Sequence, residues 1–152
     1  MARTFRHTPL SGTLVGAALL VGQPGAAETL FHRAENQVPV AIVEIKRHAE
    51  FTEIHLQAQA PLMKVCFATG GPNRPYLLAA GRNYLYVGGD NVTTCPERRD
   101  YAQGDIMVLR FEPLAAGSST FSFVSGQAGE RQSIDAVSPT TPYWNFLRVR
   151  LN

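Results

Sequence analysis

Two apolar runs that lie close together, at residues 105–114 and 120–124, place the strongest constraint on what this chain can fold into. Both are rich in β-branched and aromatic residues, and Pro, Gly and Ser between them favour a turn or loop. Alternation with a period of two puts three side chains of the first run on one face: Met107, Leu109 and Phe111. Phe121 and Phe123 share a face of the second run in the same way. The pattern predicts two neighbouring strands that form the wall of an all-β core.

The strand pattern continues through most of the chain. Residues 51–60 alternate most clearly, with Ile54, Leu56 and Ala58 inward, and residues 38–47 precede them in a hairpin expected to turn at residues 48–50. The inward faces expected for three other strands are Val43 and Ile45, then Met63, Val65 and Phe67, and finally Leu147, Val149 and Leu151. Two short strands, at 76–78 and 84–87, are expected to join at Gly81. Seven or eight strands at this spacing are typical of antiparallel sandwiches and barrels.

The first 27 residues have the layout of a secretory signal peptide. Arg3 and Arg6 supply a basic start, residues 10–21 are apolar, and Gly25-Ala26-Ala27 offers small residues for cleavage. The apolar run is shorter than the roughly 20 residues that span a bilayer. We therefore expect export to the periplasm or the extracellular space, without stable membrane insertion after cleavage. Residues 28–37 are expected to be a leader segment, and residues 38–152 the single β-domain.

Charge and cysteine content fit an exported domain. The chain has 14 basic and 12 acidic residues, and removal of Arg3 and Arg6 leaves 12 of each. A neutral domain has no electrostatic reason to bind nucleic acid. Cys66 and Cys95 are the two cysteines, and in an oxidising compartment they are expected to form a disulfide. In the chain-entropy model, such a bridge stabilises the fold by about 3.5 kcal/mol.

Several sequence segments together resemble those of a known class of domain. They are Thr52-Glu53-Ile54-His55-Leu56, Phe111-Glu112-Pro113-Leu114, Phe121-Ser122-Phe123-Val124-Ser125-Gly126 and Trp144-Asn145-Phe146. In this order they resemble small exported bacterial immunoglobulin-like β-sandwich domains, in which a strand ending in Phe-Glu-Pro-Leu precedes a Phe-rich strand. The chain has Ser125 where an acidic residue is typical. The resemblance implies an immunoglobulin-like antiparallel β-sandwich of seven to eight strands, and it implies no particular activity.

The sequence contains none of the familiar catalytic motifs. No Gly-rich phosphate loop, Gly-x-Ser-x-Gly elbow or His-Glu-x-x-His pair is present. Copper binding would draw on His48, His55, Met63 and Met107, and calcium binding on Asp90, Asn91, Asp100 and Asp105. Core packing of the methionines and a turn at residues 88–91 explain these residues more simply. We therefore assign no cofactor, metal ligand or catalytic residue.

One surface segment offers a binding hypothesis. Residues 91–103 are polar and contain Glu97-Arg98-Arg99-Asp100-Tyr101, and Arg and Tyr are enriched where proteins bind one another. The predicted contact residues are Arg98, Arg99, Tyr101, Tyr84 and Tyr86. The competing interpretation is a solvated loop whose charges neutralise one another. The sequence thus favours a monomeric, non-enzymatic binding or accessory module that acts on a protein or cell-envelope partner. An exported hydrolase or a metal-handling protein is the alternative.

Overall fold

The structure is a computed structural model that describes residues 26–34, 38–125 and 144–152. These residues form ten β-strands and no helix. The strands are β1 (Ala27–Arg33), β2 (Val40–Arg47), β3 (Thr52–Ala58), β4 (Leu62–Val65), β5 (Tyr76–Ala79), β6 (Arg82–Asp90), β7 (Arg99–Tyr101), β8 (Ile106–Phe111), β9 (Thr120–Val124) and β10 (Phe146–Arg150). Residues 1–25 of the predicted signal segment and the loop expected at 127–142 lie outside the described residues.

Eight strands form one antiparallel sheet in the order β1-β2-β3-β8-β6-β5-β9-β10, and β4 and β7 form a separate two-stranded ribbon. Strand β6 belongs to both halves of the large sheet. Its residues 82–85 pair with β5, whereas residues from Tyr86 onward pair with β8. The register shifts between Tyr86 and Gly88, and a bulge of this kind bends a strand. The sheet therefore turns back on itself at β6, and its two halves face each other as layers of an antiparallel β-sandwich. The predicted all-β class is confirmed.

Aromatic rings fill the space between the layers. Phe111 of β8 and Phe123 of β9 lie edge to face with ring centroids 5.5 Å apart, and Phe123 meets Phe146 of β10 similarly at 5.4 Å. Tyr86 lies 5.8 Å from Phe111 on the other side. All four residues are buried. Edge-to-face pairs add about 0.5–1.5 kcal/mol each beyond the burial of apolar area, so this row of rings is the centre of the core.

The regular strands have the faces that alternation predicts. In β3, Ile54, Leu56 and Ala58 are buried, and in β8 the buried residues are Met107, Leu109 and Phe111. The predicted hairpin between β2 and β3 is also confirmed, because the His48 N–H donates to the Phe51 carbonyl oxygen at 2.9 Å across the turn. The hairpin expected at Gly81 joins β5 to β6, with Ala80 at φ 48° and Gly81 at φ 75°. Positive φ at both central residues is the geometry of a tight hairpin turn.

The expected faces of β2 and β10 are wrong in part, and in both strands a bulge is the reason. The register between β2 and β3 shifts between Ile42 and Glu44, so that Ile42 and Ile45 both point into the core. In β10 the register shifts between Phe146 and Val149, and Phe146 is buried although alternation placed it outside. One extra residue inverts the alternation on one side of a bulge.

The prediction that residues 105–114 and 120–124 form neighbouring strands is wrong, because the two strands do not pair with each other. β8 pairs with β3 and β6, whereas β9 pairs with β5 and β10. The two strands instead lie in opposite layers, where their phenylalanines meet across the core.

The segment interpreted as a leader, residues 28–37, contains most of strand β1, which pairs with β2 along one side. It is an edge strand with a register shift between Thr29 and His32, and its burial alternates between one exposed face and one partly buried face. The sheet curls until its two outer strands meet, where the Asn152 N–H donates to Glu28 Oε2 at 3.0 Å.

Candidate functional site: a disulfide-anchored ribbon and a charged sheet face

A disulfide fixes the segment at residues 91–103, which the sequence predicts to be a binding surface. Cys66 and Cys95 are bonded with an Sγ–Sγ distance of 1.99 Å and a Cα–Cα distance of 5.0 Å, which confirms the predicted pair. Backbone hydrogen bonds support it on both sides: Phe67 N–H donates to the Thr93 carbonyl at 2.9 Å, and Cys95 N–H donates to the Phe67 carbonyl at 3.1 Å. The segment following β6 is therefore held against the segment following β4.

The ribbon of β4 and β7 carries an exposed group of basic and apolar side chains. Arg98 and Arg99 are both exposed, and the Arg99 guanidinium lies over the Tyr101 ring at 5.4 Å from its centroid. Met63 is 72% exposed, on the outside of β4. The Lys64 N–H donates to Asp100 Oδ1 at 2.7 Å, which fastens one strand of the ribbon to the other. We call Met63, Lys64, Arg98 and Arg99 the ribbon surface.

The three predicted contact tyrosines do not belong to this surface. Tyr84, Tyr86 and Tyr101 are 3%, 1% and 2% exposed, so their rings are core residues and offer no stacking surface to a partner. Tyr101 donates its hydroxyl hydrogen to the Asn91 carbonyl at 3.0 Å. Burial raises the pKa of the Tyr86 and Tyr101 hydroxyls. The expectation of an aromatic contact surface is therefore wrong, because these tyrosines lie on the inward faces of β6 and β7.

The outer face of β2, β3 and β8 carries a charged network that sequence reasoning did not assemble. Glu53 lies at its centre: Arg110 Nε donates to Glu53 Oε1 at 3.0 Å, and Arg110 also pairs with Asp90 of β6. Burial alone would raise the pKa of Glu53, but the hydrogen bond and charge of Arg110, together with His55 and His48, lower it below its ordinary value. The same carboxylates raise the pKa of Arg110. Because these residues come from four separate segments, only the strand register reveals the network.

Two histidines complete this network. His55 Nδ1 lies 2.9 Å from Glu44 Oε2, and its Nε2 lies 3.5 Å from Glu53 Oε2. His48 Nε2 lies 3.6 Å from the same Glu53 oxygen, and the His48 ring packs on Phe51 with centroids 4.4 Å apart. Lys46 Nζ binds Glu44 Oε2 at 3.2 Å. Alternation in the sequence places Glu53 and His55 correctly on an outward face, but no local pattern indicates their partners.

The structure separates the residues considered for copper. Met107 is fully buried in the core, whereas Met63 is exposed on β4; its expected inward position is wrong. The register of the ribbon shifts between Leu62 and Val65, and Lys64 has φ 56°. Strict alternation consequently fails in β4. Within the part of the chain that the structure describes, no three His, Cys, Asp or Glu side chains are placed to hold a metal ion.

The residues considered for calcium bind different protein groups. Asp90 pairs with Arg110, and Asp100 accepts the Lys64 N–H. Asp105 Oδ2 accepts the Ala102 N–H at 2.8 Å. Asn91 Nδ2 donates to the Ile106 carbonyl at 2.7 Å. Their hydrogen bonds fasten the connections around β7 to the sandwich.

A shallow recess of about 350 Å³ lies where β1 and β2 meet the last residue. Its polar lining residues are Glu28, Thr29, Arg47 and Asn152. The Asn152 N–H already occupies the Glu28 carboxylate, and Arg47 donates to the Ser118 carbonyl at 3.4 Å. Hydrogen bonds within the protein therefore already engage Glu28 and Arg47.

The geometry defines an all-β antiparallel domain with a disulfide-anchored ribbon and a charged outer sheet face. Comparisons with protein families, with curated proteins and with solved structures found no match for this chain. No helix long and apolar enough to cross a membrane occurs in the three described stretches of the chain.

Proposed function

We propose that this protein is an exported, non-enzymatic binding module, of the immunoglobulin-like type that its sequence resembles. It acts through the ribbon surface on a protein or a cell-envelope component. Two observations together carry this proposal. The side chains of Arg98, Arg99 and Met63 are exposed, and a disulfide fixes the segment that bears the two arginines. Binding residues are commonly placed on connections that a rigid scaffold holds.

The restraints on the ribbon lower the entropic cost of binding. The disulfide and the Lys64–Asp100 hydrogen bond fix the backbone before a partner arrives, and a preorganised surface loses less conformational freedom on association. Arginine offers several hydrogen-bond donors in a planar group and can lie over an aromatic ring, as Arg99 already does on Tyr101. An exposed methionine adapts its shape to an apolar neighbour.

The proposal is tested by recovering partners with the oxidised protein from an envelope extract. The test variant is Arg98→Ala with Arg99→Ala, and the matched control is Arg82→Ala. Arg82 is also exposed and lies over a tyrosine ring, with its guanidinium 4.8 Å from the Tyr84 centroid. A partner recovered by the wild type and the control but lost in the double variant supports the proposal. Equal recovery by all three proteins would contradict it.

Affinity of a recovered partner then tests the apolar part of the surface. Met63→Ser should weaken binding about fivefold to thirtyfold, because an apolar side chain of this size contributes roughly 1–2 kcal/mol when an interface buries it. Its effect on unfolding should be small, since Met63 is mostly exposed in the free protein. Unchanged affinity would remove Met63 from the contact surface.

A further inference from the structure

The ring of His55 lies between two carboxylates, and only one protonation state satisfies both contacts. Nδ1 faces Glu44 Oε2 at 2.9 Å and Nε2 faces Glu53 Oε2 at 3.5 Å. A neutral imidazole carries a hydrogen on only one of its two nitrogens. The lone pair of the other nitrogen would then face the lone pairs of a carboxylate. An imidazolium has a donor on each nitrogen and fits both neighbours.

We propose that His48 and His55 form, with Glu44 and Glu53, a proton-operated clamp on the outer face of the sandwich. Proton uptake by the two rings tightens the attachment of β2 and the β2–β3 turn to β3. We call these four residues the histidine clamp. It is separate from the ribbon surface, and it holds whether or not that surface binds a partner.

His48 approaches the same Glu53 carboxylate as His55. Its Nε2 is buried without a hydrogen-bond partner among the described residues, yet it lies 3.6 Å from Glu53 Oε2. Phe51 packs on one face of the ring, and Nε2 itself is shielded from water although 34% of the His48 side chain is exposed. Protonation converts this unsatisfied contact into an attraction between a cation and a carboxylate.

The charges around the clamp favour the uptake of a proton. From β2 come Glu44 and Lys46, from β3 Glu53, from β8 Arg110 and from β6 Asp90. With both rings neutral, three carboxylates face two cations, which leaves a formal charge of −1. One proton on the clamp neutralises the network. The Glu53 and His55 side chains are only 12% and 13% exposed, so solvent screens their interaction less than that of an open surface pair.

The clamp depends on the charge of both partners. The attraction appears as the rings take up protons, and Glu53 remains charged below its ordinary pKa because its pKa in the folded protein is lowered. The clamp therefore tightens as the pH falls, and it is lost only when the pH falls through the pKa of Glu53.

Ring-nitrogen NMR of the wild-type protein tests the proposal without any substitution. At pH 5.5 the His55 ring should show two protonated nitrogens. At pH 5.5 the melting temperature of the wild type should be roughly 3–6 °C higher than that of the His55→Gln variant. At pH 8 the difference between the two proteins should be much smaller. The matched control is Gln57→Ala, which changes the next outward position of β3 without removing a titrating group.

Three results would overturn the proposal. The first is a His55 ring that stays neutral at pH 5.5, and the second is a melting difference between wild type and His55→Gln that is the same at pH 5.5 and pH 8. The third is stoichiometric binding of Zn²⁺ or Cu²⁺ at pH 7 that His55→Gln abolishes. In that case a metal ion, and not a proton, would be the cation between the imidazole and the carboxylate.

Discussion

Replacement of Gly89 by alanine tests the path of β6 most directly. Gly89 lies opposite Leu109 in the ladder between β6 and β8. A Cβ atom at this position would be 2.0 Å from the Val108 carbonyl oxygen and 3.1 Å from Val92 Cγ2. An ordinary contact between carbon and oxygen is more than 1 Å longer, and the obstacle is backbone that no rotamer change can move. β6 and β8 must therefore separate locally. We expect a loss of about 3 kcal/mol, at the upper end of the cost of overpacking.

The expected loss is measured by urea unfolding and by thermal melting. For a domain of this size, 3 kcal/mol lowers the melting temperature by about 10 °C. The matched control is Gly70→Ala, since a Cβ at Gly70 meets nothing within 4 Å and Gly70 does not have a positive φ. Its free energy of unfolding should change by less than about 0.5 kcal/mol. A difference of about 3 °C or less between the melting temperatures of Gly89→Ala and Gly70→Ala would be on the order of the uncertainty expected for the control. Such a result would mean that β6 and β8 are not in the described register.

The other predictions concern the bridge, the core and the charged face. Replacement of Cys66 and Cys95 by serine should cost about 3.5 kcal/mol and lower the melting temperature by roughly 10–15 °C; a melting temperature that equals that of the oxidised wild type would contradict this. Phe123→Ala should lower the free energy of unfolding in urea by about 4 kcal/mol because the Phe123 ring is fully buried. Phe31 is 57% exposed, so Phe31→Ala should lower it by less than about 1 kcal/mol. Equal losses in the two variants would disprove the core assignment. Glu53 has a lowered pKa, so its stabilisation is present above its ordinary pKa and is lost as the pH falls through the folded-state value. The difference in unfolding free energy between wild type and Glu53→Gln should therefore shrink from about pH 5 to about pH 3, and a constant difference would exclude the ion pairs as its source.

The sequence predicts the parts of this fold in which local pattern and tertiary contacts agree. β3 and β8 are regular strands in the middle of a layer, so the alternation of their side chains is also the alternation of their burial. The disulfide followed from the presence of two cysteines and an expected oxidising compartment.

Bulges and register explain most of the rest. A bulge inverts the face of Ile42 and of Phe146, and nothing in the local composition marks either place. β8 pairs with β6 and not with β9, because the connection at residues 112–119 leads from one layer to the other. Local pattern carries no information on such partners.

The binding residues were predicted from composition, and composition does not report exposure. Arg98 and Arg99 are exposed as expected, but Tyr101, which follows two residues after Arg99, is buried. Tyrosine has an apolar ring with a polar end, so it fits a core position whenever its hydroxyl finds a partner. For Tyr101 that partner is the Asn91 carbonyl, which only the folded chain brings near.

Strand β6 also determines how this domain can open. It donates and accepts ladder hydrogen bonds in both layers, so neither layer can detach as an intact sheet while the other keeps all its strands. A partly unfolded state that preserves one layer would have to break β6 in its middle, at the bulge before Gly88. Amide hydrogens of β3, β8, β5 and β9 should consequently exchange with solvent together, in the rare event that unfolds the whole domain.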